Sequence, residues 1–558
     1  MAPAAEDEPV EPTESVGDES GPEGRPGWWA PTLVAIVAVA AVVRLVGLGD
    51  RPMHHDESLD AWFSWRIAHG QPYRYDPAYH GPLRFFLTAG FFRVLGEGEG
   101  TARLLAALCG TGMVALVGAL RRWLGNGGAL AAAAMVALSP SMLYFSRFGR
   151  EDMPFALLEL ALLVVVASWL TRPARWHPPV AGAVLAAAFA TKETSFIVVA
   201  VLGAYLGGLW LLEVLDRRQL PTSTPTAPPG STPPAEPTRP AVPGIGAALR
   251  APGWRSLALG AAAFAAVFSV CFSVGFTHPG GIVDGAVDGI DYWMSQQPVN
   301  RGGQPWPFYL SLLAGYEWPI VLLAVAGAVV AGRRLDAVRG LLLWTAVADL
   351  IIYSWASERF PWLVVHPLLP LILLAGLGAE RLGQLLPSVP ARVAAAGATA
   401  AVLVALAVPV VFVGPSDPRQ LLVSVQTSEE LVDVRDRVER IYDAAPADRP
   451  PIVVVDTSDS ATWPWAWYLR DRPVSYADLA ADPGAATGAD VVLAMASNVG
   501  RLTSPPGGWR SQPYAHRVWW LPPWGHTGVG DWVGWIATRR TFGPLGALEA
   551  VELEPLQG

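Results

Sequence analysis

Charged residues are scarce in this sequence: Asp, Glu, Lys and Arg together make up 16% of its 558 residues. Hydrophobic residues make up 52%, and the mean hydropathy is +0.34. Several apolar runs reach the length of about 20 residues that a helix needs to cross a bilayer. The composition therefore excludes an ordinary soluble protein of this length and predicts a polytopic membrane protein.

Lysine and cysteine are almost absent. Lys192 is the only lysine among many arginines, which is typical of a GC-rich genome. Two interpretations stay open: an ammonium group is needed there, or the single lysine is a chance occurrence. Cys109 and Cys271 fall inside apolar runs, so we expect free buried thiols and no disulfide. The net charge of −9 comes mainly from acids near the two ends of the chain, and nothing indicates nucleic-acid binding.

Composition divides the chain into three parts. Residues 1–26 are acidic and rich in Pro, Gly and Ser, so we expect a disordered tail. Residues 27–414 carry the apolar runs, with a cytoplasmic Pro-rich linker at 219–252. Residues 415–558 alternate helical and buried-strand patterns, which predicts a small extracytoplasmic α/β domain. Because acidic rather than basic residues precede the first apolar run, we expect that run to be a retained anchor.

The apolar runs predict a mainly α fold with about 11 transmembrane helices. The run at 81–96 is too short to span and contains two arginines, so we expect it to lie at the membrane surface. The predicted spans are residues 30–48, 101–122, 127–146, 152–170, 176–191, 194–214, 254–276, 308–330, 338–356, 361–380 and 391–413.

Arginines in the short loops predict the orientation, because such loops carry their positive charge on the cytoplasmic side. This places the N-terminus inside and the C-terminal domain outside. The first outer loop also carries arginines, against the rule, and we interpret them as phosphate-binding groups. The arginines placed in the cytoplasm are Arg121, Arg122, Arg172, Arg175, Arg217, Arg218, Arg333, Arg334, Arg339, Arg381 and Arg392.

Polar residues gather in the loops on the predicted outer side, where charges at span ends indicate a functional site. Asp56 is expected to open a helix, since apolar residues follow it at helical spacing. A carboxylate in the first helical turn is stabilised as the anion, which favours a general base. The alternative, a simple helix cap, stays open. The other outer-loop residues are His54, His55, Glu57, His80, Arg147, Arg150, Glu151, Asp152, Lys192, Glu193, Glu358, Arg359 and His366.

A carboxylate base beside several cations suits transfer from a phosphate-linked donor. We expect no cofactor. A divalent metal is the less favoured alternative, because the adjacent His54 and His55 point apart on a helix. Trp463, Trp465 and Trp467 either stack on a sugar or pack in the core of the C-terminal domain, and we favour the core.

These stretches resemble the polytopic glycosyltransferases of the GT-C class, in the branch that contains the dolichyl-phosphate-mannose protein mannosyltransferases and the bacterial aminoarabinose transferase. The subgroup named flippase-activity-associated membrane proteins is most similar. The matching stretches are His55-Asp56-Glu57-Ser58, Tyr79-His80-Gly81-Pro82, Thr101-Ala102-Arg103-Leu104, Ser146-Arg147-Phe148, Arg150-Glu151-Asp152, Ala190-Thr191-Lys192-Glu193, Glu358-Arg359-Phe360-Pro361-Trp362, His366-Pro367, Trp463-Pro464-Trp465 and Trp467-Tyr468-Leu469-Arg470.

The resemblance implies a sugar donor on polyprenyl phosphate and a multi-pass enzyme in the cell membrane that acts at the outer face. The general base maps onto Asp56, with Glu57 beside it. The cations for the lipid phosphate map onto Lys192 and Arg359, with Arg150 as a third. The sugar and the acceptor stay open. The supporting residues are His55, His80, Glu151, Asp152, Glu193 and Glu358.

A second hypothesis is a non-catalytic protein that transports lipid-linked sugars or helps to flip them. A transporter is expected to place charged sites near the bilayer midplane. Asp349 is the one prominent acid in such a position, whereas the other charges collect at one face. We therefore favour the enzyme.

The predicted topology can be tested by thiol labelling of intact cells, in a parent whose Cys109 and Cys271 have been replaced. A membrane-impermeant reagent should label Ser424→Cys, in the outer domain, and should leave Ser231→Cys, in the cytoplasmic linker, unlabelled. Labelling of Ser231→Cys without Ser424→Cys would mean that the orientation is inverted.

Overall fold

The computed structural model describes residues 26–219, 244–296, 298–299 and 302–556. The predicted acidic tail at 1–26 lies outside this part except for its last residue, and the linker at 219–252 lies outside it from 220 to 243. The prediction of a mainly helical polytopic protein with a small C-terminal sheet domain is confirmed. Cys109 and Cys271 are free and half-buried.

The membrane part is built from helices that begin and end close to the predicted runs. They are α1 (Trp29–Leu45), α2 (His55–Ala68), α3 (Leu83–Leu95), α4 (Glu99–Val117), α5 (Arg121–Leu124), α6 (Asn126–Leu138), α7 (Pro140–Phe145), α8 (Asp152–Thr171), α9 (His177–Phe189), α10 (Ser195–Gln219), α11 (Ile245–Arg250), α12 (Trp254–Phe272), α13 (Gly281–Ala286), α14 (Asp288–Gln296), α15 (Phe308–Tyr316), α16 (Trp318–Arg333), α17 (Ala337–Trp355), α18 (Val365–Leu385) and α19 (Val389–Val408).

Fewer than 11 of the described helices qualify as spans when each must be long and apolar enough to cross a membrane by itself. Within the described ranges, seven helices are long and apolar enough to cross a membrane, or eight if the bent pair α15 and α16 counts as one span. Helices α1, α6 and α9 are apolar but shorter. Helices α1 and α9 each overlap a predicted span, whereas the predicted span 127–146 is divided between α6 and α7. A count of 11 stays a prediction. Helix α3 has 13 residues and packs against α2 and α4, in agreement with a non-spanning helix.

The break between α6 and α7 inside the membrane part is stabilised by the buried side chains of Glu317 and Arg44. Helix α15 meets α16 at a bend of 104°, and Glu317 lies at this bend. Its carboxylate accepts hydrogen bonds from Ser139 Oγ (2.9 Å) and Ser141 N (2.8 Å), where α7 begins. Arg44 of α1 donates to Val136 O (2.8 Å) at the end of α6. These side chains satisfy backbone groups that a broken helix leaves unpaired.

The C-terminal part folds around one mixed sheet of six strands in the order β1-β5-β6-β4-β2-β3. Strand β2 pairs in parallel with β3 and β4, and the other pairs are antiparallel. The elements are β1 (Gln426–Thr427), α20 (Glu429–Ala444), β2 (Val453–Asp456), α21 (Thr462–Tyr468), β3 (Val474–Ala477), β4 (Val491–Met495), β5 (Trp509–Trp519), α22 (Val529–Thr538) and β6 (Gly546–Pro555).

The sheet domain shares its core with the loop that follows α1 and with α3. Met53 and Phe92 belong to the same buried cluster as Trp465 and Trp467, so these two tryptophans are core residues, as favoured above. The hydroxyl of Tyr468 accepts a hydrogen bond from Met53 N at 2.8 Å. The C-terminal domain thereby fixes the chain immediately before α2.

The loop before α3 lies directly on the loop between α9 and α10. Leu83 N donates to Ala190 O at 2.9 Å, and a Cβ at Gly81 would overlap the backbone of Ala190 and Thr191. This contact explains why the turn after His80 requires a glycine: the two loops approach backbone to backbone.

Substitution of Gly81 is therefore expected to separate these loops. Gly81→Ala should lower the free energy of unfolding by about 1–3 kcal/mol, the usual cost of overpacking a close contact, and should therefore lower the unfolding temperature. Gly90→Ala on α3, where a Cβ would meet no atom within 4 Å, is the control and should be neutral or slightly stabilising. Equal unfolding temperatures for both variants and the parent would show that the close approach is not required.

Candidate active site

The helix that carries the predicted base begins one residue earlier than expected. Helix α2 starts at His55, and His54 is its N-cap. His54 Nδ1 accepts a hydrogen bond from Asp56 N (3.0 Å), and Glu57 accepts one from His54 N (3.0 Å). This reciprocal arrangement is a capping box, so the expectation that Asp56 opens or caps the helix is wrong. The imidazole of His54 supplies the cap and leaves the Asp56 side chain available.

Glu57 is fully enclosed by cations and backbone donors. Its carboxylate pairs with Arg103 (2.8 Å) and Arg51 (2.9 Å) and accepts a hydrogen bond from Gly149 N (2.6 Å). Burial opposes its charge, but Arg103 and Arg51 outweigh burial and lower the pKa of Glu57 to about 2. Glu57 therefore anchors α2 and exposes no oxygen to a reactant.

Asp56 faces an open cavity instead. Its side chain is 28% exposed, and its Oδ2 pairs with Nη1 of Arg150. The guanidinium of Arg150 also lies 4.5 Å from the ring centre of Trp362. The cavity has a volume of about 270 Å³ and is lined by His54, His55, Asp56, Leu59, Asp60, Ala78, Tyr79, His80, Arg84, Arg150, Glu358, Phe360, Trp362 and Val425.

A buried chain of alternating charges continues behind the cavity. Arg150 Nη2 donates to Glu151 at 2.8 Å, and Lys192 Nζ lies 3.2 Å from the same carboxylate. Lys192 also donates to Asp152. Glu151, Asp152 and Lys192 are all at least nine-tenths buried and do not line the cavity. Lys192 is thus paired with Glu151 and Asp152 rather than with its neighbour Glu193.

His80 joins this network from the loop before α3. Its Nδ1 lies 2.6 Å from Glu193 and its Nε2 lies 3.5 Å from Glu151. Burial opposes a charged imidazole, but these two carboxylates outweigh burial and raise the pKa of His80 to about 9. His80 is therefore a cation at neutral pH, and its ring lines the cavity.

Asp60 is a functional candidate that sequence reasoning did not single out, whereas Arg84 is one of the first-outer-loop arginines interpreted above as phosphate-binding groups. Asp60 lies one helical turn after Asp56, and both line the cavity. Arg84 bridges Asp60 and Glu151. Burial raises the pKa of Asp60 well above its usual range, against the effect of Arg84. The four-residue spacing of Asp56 and Asp60 was the available signal, because such residues share one helix face.

The loop before α18 contributes one side of the cavity. Glu358 and Trp362 line it, whereas Arg359 does not. Arg359 donates to the carbonyl oxygens of Gln304 (2.7 Å) and Ser354 (2.9 Å). The structure therefore brings most of the predicted site residues together but leaves Arg359 beside the cavity, at the end of α17.

His55 and His366 lie at opposite ends of the site. His55 lines the cavity, and its Nδ1 lies 3.4 Å from Arg517 of the C-terminal domain. His366 is buried in α18, where Nδ1 lies 2.6 Å from Glu159 and Nε2 lies 3.6 Å from Asp152. In the described part of the chain, no three His, Cys, Asp or Glu side chains are grouped so that they could hold a metal ion.

Comparison with known proteins identifies the fold. Residues 79–221 match the family model described as dolichyl-phosphate-mannose-protein mannosyltransferase, a match that covers part of the chain. ArnT from Cupriavidus metallidurans, solved with undecaprenyl phosphate, is 17% identical with a TM-score of 0.55, over 94% of this chain and 98% of that one. No curated protein sequence matches the chain.

An archaeal oligosaccharyltransferase is also similar. AglB from Archaeoglobus fulgidus, solved with an inhibitory peptide and a dolichol-phosphate, is 14% identical with a TM-score of 0.50, over 84% of this chain and 69% of that one. The expected resemblance to GT-C glycosyltransferases is confirmed, and at this level of identity the similarity to solved structures establishes the fold. The closer resemblance to the flippase-associated subgroup stays a prediction.

The different surroundings of Asp56 and Glu57 predict different costs of neutralising them. Glu57→Gln leaves Arg51 and Arg103 buried without a counter-charge and should lower the free energy of unfolding by about 3–5 kcal/mol. Asp56→Asn, a matched change one residue away on a partly exposed side chain, should cost at most about 1 kcal/mol. Thermal unfolding of both variants in the same detergent measures the difference, and equal losses would contradict these roles.

Proposed function

We propose that this protein is a membrane glycosyltransferase that moves a sugar from polyprenyl phosphate to an acceptor at the membrane face that bears the cavity. The observation that carries the proposal is the pairing of a partly exposed carboxylate, Asp56, with Arg150 in a cavity of about 270 Å³. ArnT and AglB, which share the fold, were solved with undecaprenyl phosphate and dolichol-phosphate respectively.

Asp56 is the general base of this proposal. Its carboxylate takes the proton of an acceptor hydroxyl while the acceptor oxygen bonds to C1 of the sugar. The bond between C1 and the phosphate oxygen breaks, and its electron pair leaves with the phosphate. Attack opposite the leaving group inverts the configuration at C1. Arg150 favours the ionised form of Asp56, whereas Glu57 is fully engaged by Arg51 and Arg103 and is the weaker candidate.

The phosphate is held by the cations that reach the cavity. Arg150, Arg84 and the charged His80 line it, and a guanidinium fits phosphate oxygens as a fork. Lys192 is assigned an indirect role: it neutralises Glu151 and Asp152, so that Arg150 keeps part of its positive charge for the donor. Arg359 has no carboxylate within 4 Å in the described residues and remains a candidate for the lipid phosphate at the cavity edge.

Transport of lipid-linked sugars is less well supported. The polar groups inside the membrane part, Glu159, Asp349 and His366, enclose a cavity of only about 20 Å³. This volume is close to that of one water molecule and far below that of a sugar. The cavity beside Asp56 is more than ten times larger. We therefore propose chemistry at one face rather than passage through the bilayer, with the cavity on the extracytoplasmic side.

The proposal is tested by Asp56→Asn in an assay of labelled polyprenyl-phosphate sugars with membrane extracts. Loss of the base should lower the transfer rate by about 10²–10⁴-fold. Donor binding and membrane insertion should persist, because the side chain keeps its size and can still accept a hydrogen bond from Arg150.

Glu97→Gln is the matched control, since Glu97 is another carboxylate outside the spans and does not line the cavity. It should transfer sugar at the parent rate. Near-normal transfer by Asp56→Asn would end the assignment of the base. A parent protein that transfers none of the sugars offered, but moves them across vesicle membranes, would favour transport.

A further inference from the structure

A second cavity lies on the same face of the membrane part and shares no lining residue with the first. It has a volume of about 140 Å³ and lies between the end of α1 and the chain that follows α19. Val46 and Phe412 form apolar walls, and Arg51, Arg147 and Asp50 supply polar groups. Arg147 precedes Arg150 by three residues, which places this cavity at the level of the candidate active site.

No carboxylate forms an ion pair with the guanidinium of Arg147 in the described residues, although the charge of Asp50 reaches it from the same cavity wall. In the described part of the chain, no acidic side chain lies within 4 Å of it. Burial and the neighbouring charges of Arg51 and Arg103 lower the pKa of Arg147 to about 10, against the effect of Asp50, so Arg147 is still a cation at neutral pH. Its Nη atoms donate, at 2.7 to 3.1 Å, to the carbonyl oxygens of Val43, Arg44, Val46 and Gly47.

The surroundings of this cation are apolar and face outward. Val46 is 64% exposed and Val413 is 77% exposed, and Val42 and Phe412 are exposed as well. These side chains lie at the ends of two apolar helices, where the lipid chains of a bilayer meet the head groups. In that position apolar side chains contact the lipid chains, and a neighbouring cation can reach a head group. An arginine without an ion-pair partner, next to such an apolar surface, matches the two parts of a lipid: the guanidinium suits the phosphate, and the apolar side chains suit the hydrocarbon chains.

We propose that the cavity around Arg147 binds the phosphate group of a membrane lipid, with the chains of the lipid on Val42, Val46 and Val413. A phospholipid and a free polyprenyl phosphate share this chemistry, and the site recognises the phosphate in either case. The proposal is independent of the proposed transfer reaction, because neither Asp56 nor Arg150 takes part. Asp50 lies on the wall of the same cavity, and its negative charge opposes anion binding. Removing that charge should therefore strengthen lipid binding, whereas removing Arg147 should weaken it.

The test measures, by native mass spectrometry, the lipids that stay bound to the purified full chain. Phosphatidylglycerol, phosphatidylcholine and undecaprenyl phosphate are each added at the same concentration. Arg147→Gln should reduce retention of the preferred phosphate lipid about tenfold, the effect of losing one charged hydrogen bond. Asp50→Asn should increase it several-fold, because a like charge leaves the cavity. Arg449→Gln, at an exposed arginine of the C-terminal domain that lines neither cavity, is the control and should match the parent.

Preferred retention of phosphatidylglycerol identifies a membrane phospholipid as the ligand, and preferred retention of undecaprenyl phosphate identifies the carrier lipid. Arg147 also caps the end of α1, so Arg147→Gln requires a thermal unfolding control. If that variant does not fold, Asp50→Asn decides alone, since the Asp50 side chain is exposed and is not among the hydrogen-bond partners by which Arg147 caps α1. Retention by Asp50→Asn equal to that of the parent for all three lipids would then overturn the proposal, as would equal retention by a folded Arg147→Gln.

Discussion

The contact between Arg150 and Asp56 joins the first turn of α2 to the loop before α8, which also carries Glu151, a second partner of Arg150. Asp56 belongs to α2, and Glu151 precedes α8, almost a hundred residues later in the chain. Buried charges are costly unless each one meets an opposite charge. Arg150 therefore holds α2 and this loop in one arrangement, and Lys192 and His80 extend the same alternation from two further loops. The cavity exists because these loops are tied together around it.

The C-terminal domain takes part in the same arrangement. Tyr468 holds Met53, and Ser424 O lies 2.8 Å from His54 Nε2, so the residues immediately before Asp56 are fixed from outside the membrane part. His54 then caps α2, and Glu57 anchors it to Arg103 of α4. The position of the proposed base is therefore set by elements on both sides. Loss of the contacts from the C-terminal domain, or of the contact between Glu57 and Arg103, is expected to displace Asp56 although the side chains that line the cavity are all still present.

Much of this organisation is predictable from the sequence, because it follows from composition and from residue spacing. The length of each apolar run predicted where the helices lie, and charges at the run ends predicted which loops meet. The partners of each charge were not predictable. Lys192 pairs with Asp152 across 40 residues rather than with the adjacent Glu193, and Glu57 pairs with Arg103. Such pairs depend on how the helices pack, and a single sequence contains no measure of that packing. The imidazole cap at His54 was missed because histidine is an uncommon cap.

The most direct test is the position of a bound donor, determined by electron cryomicroscopy of the protein with a polyprenyl-phosphate sugar. We expect the phosphate to contact Arg150 and Arg84 in the cavity lined by Asp56. We also expect C1 of the sugar to lie where an acceptor hydroxyl can reach both C1 and the Asp56 carboxylate. A donor whose sugar lies beside Asp349 and Glu159, inside the membrane part, would contradict transfer at this face.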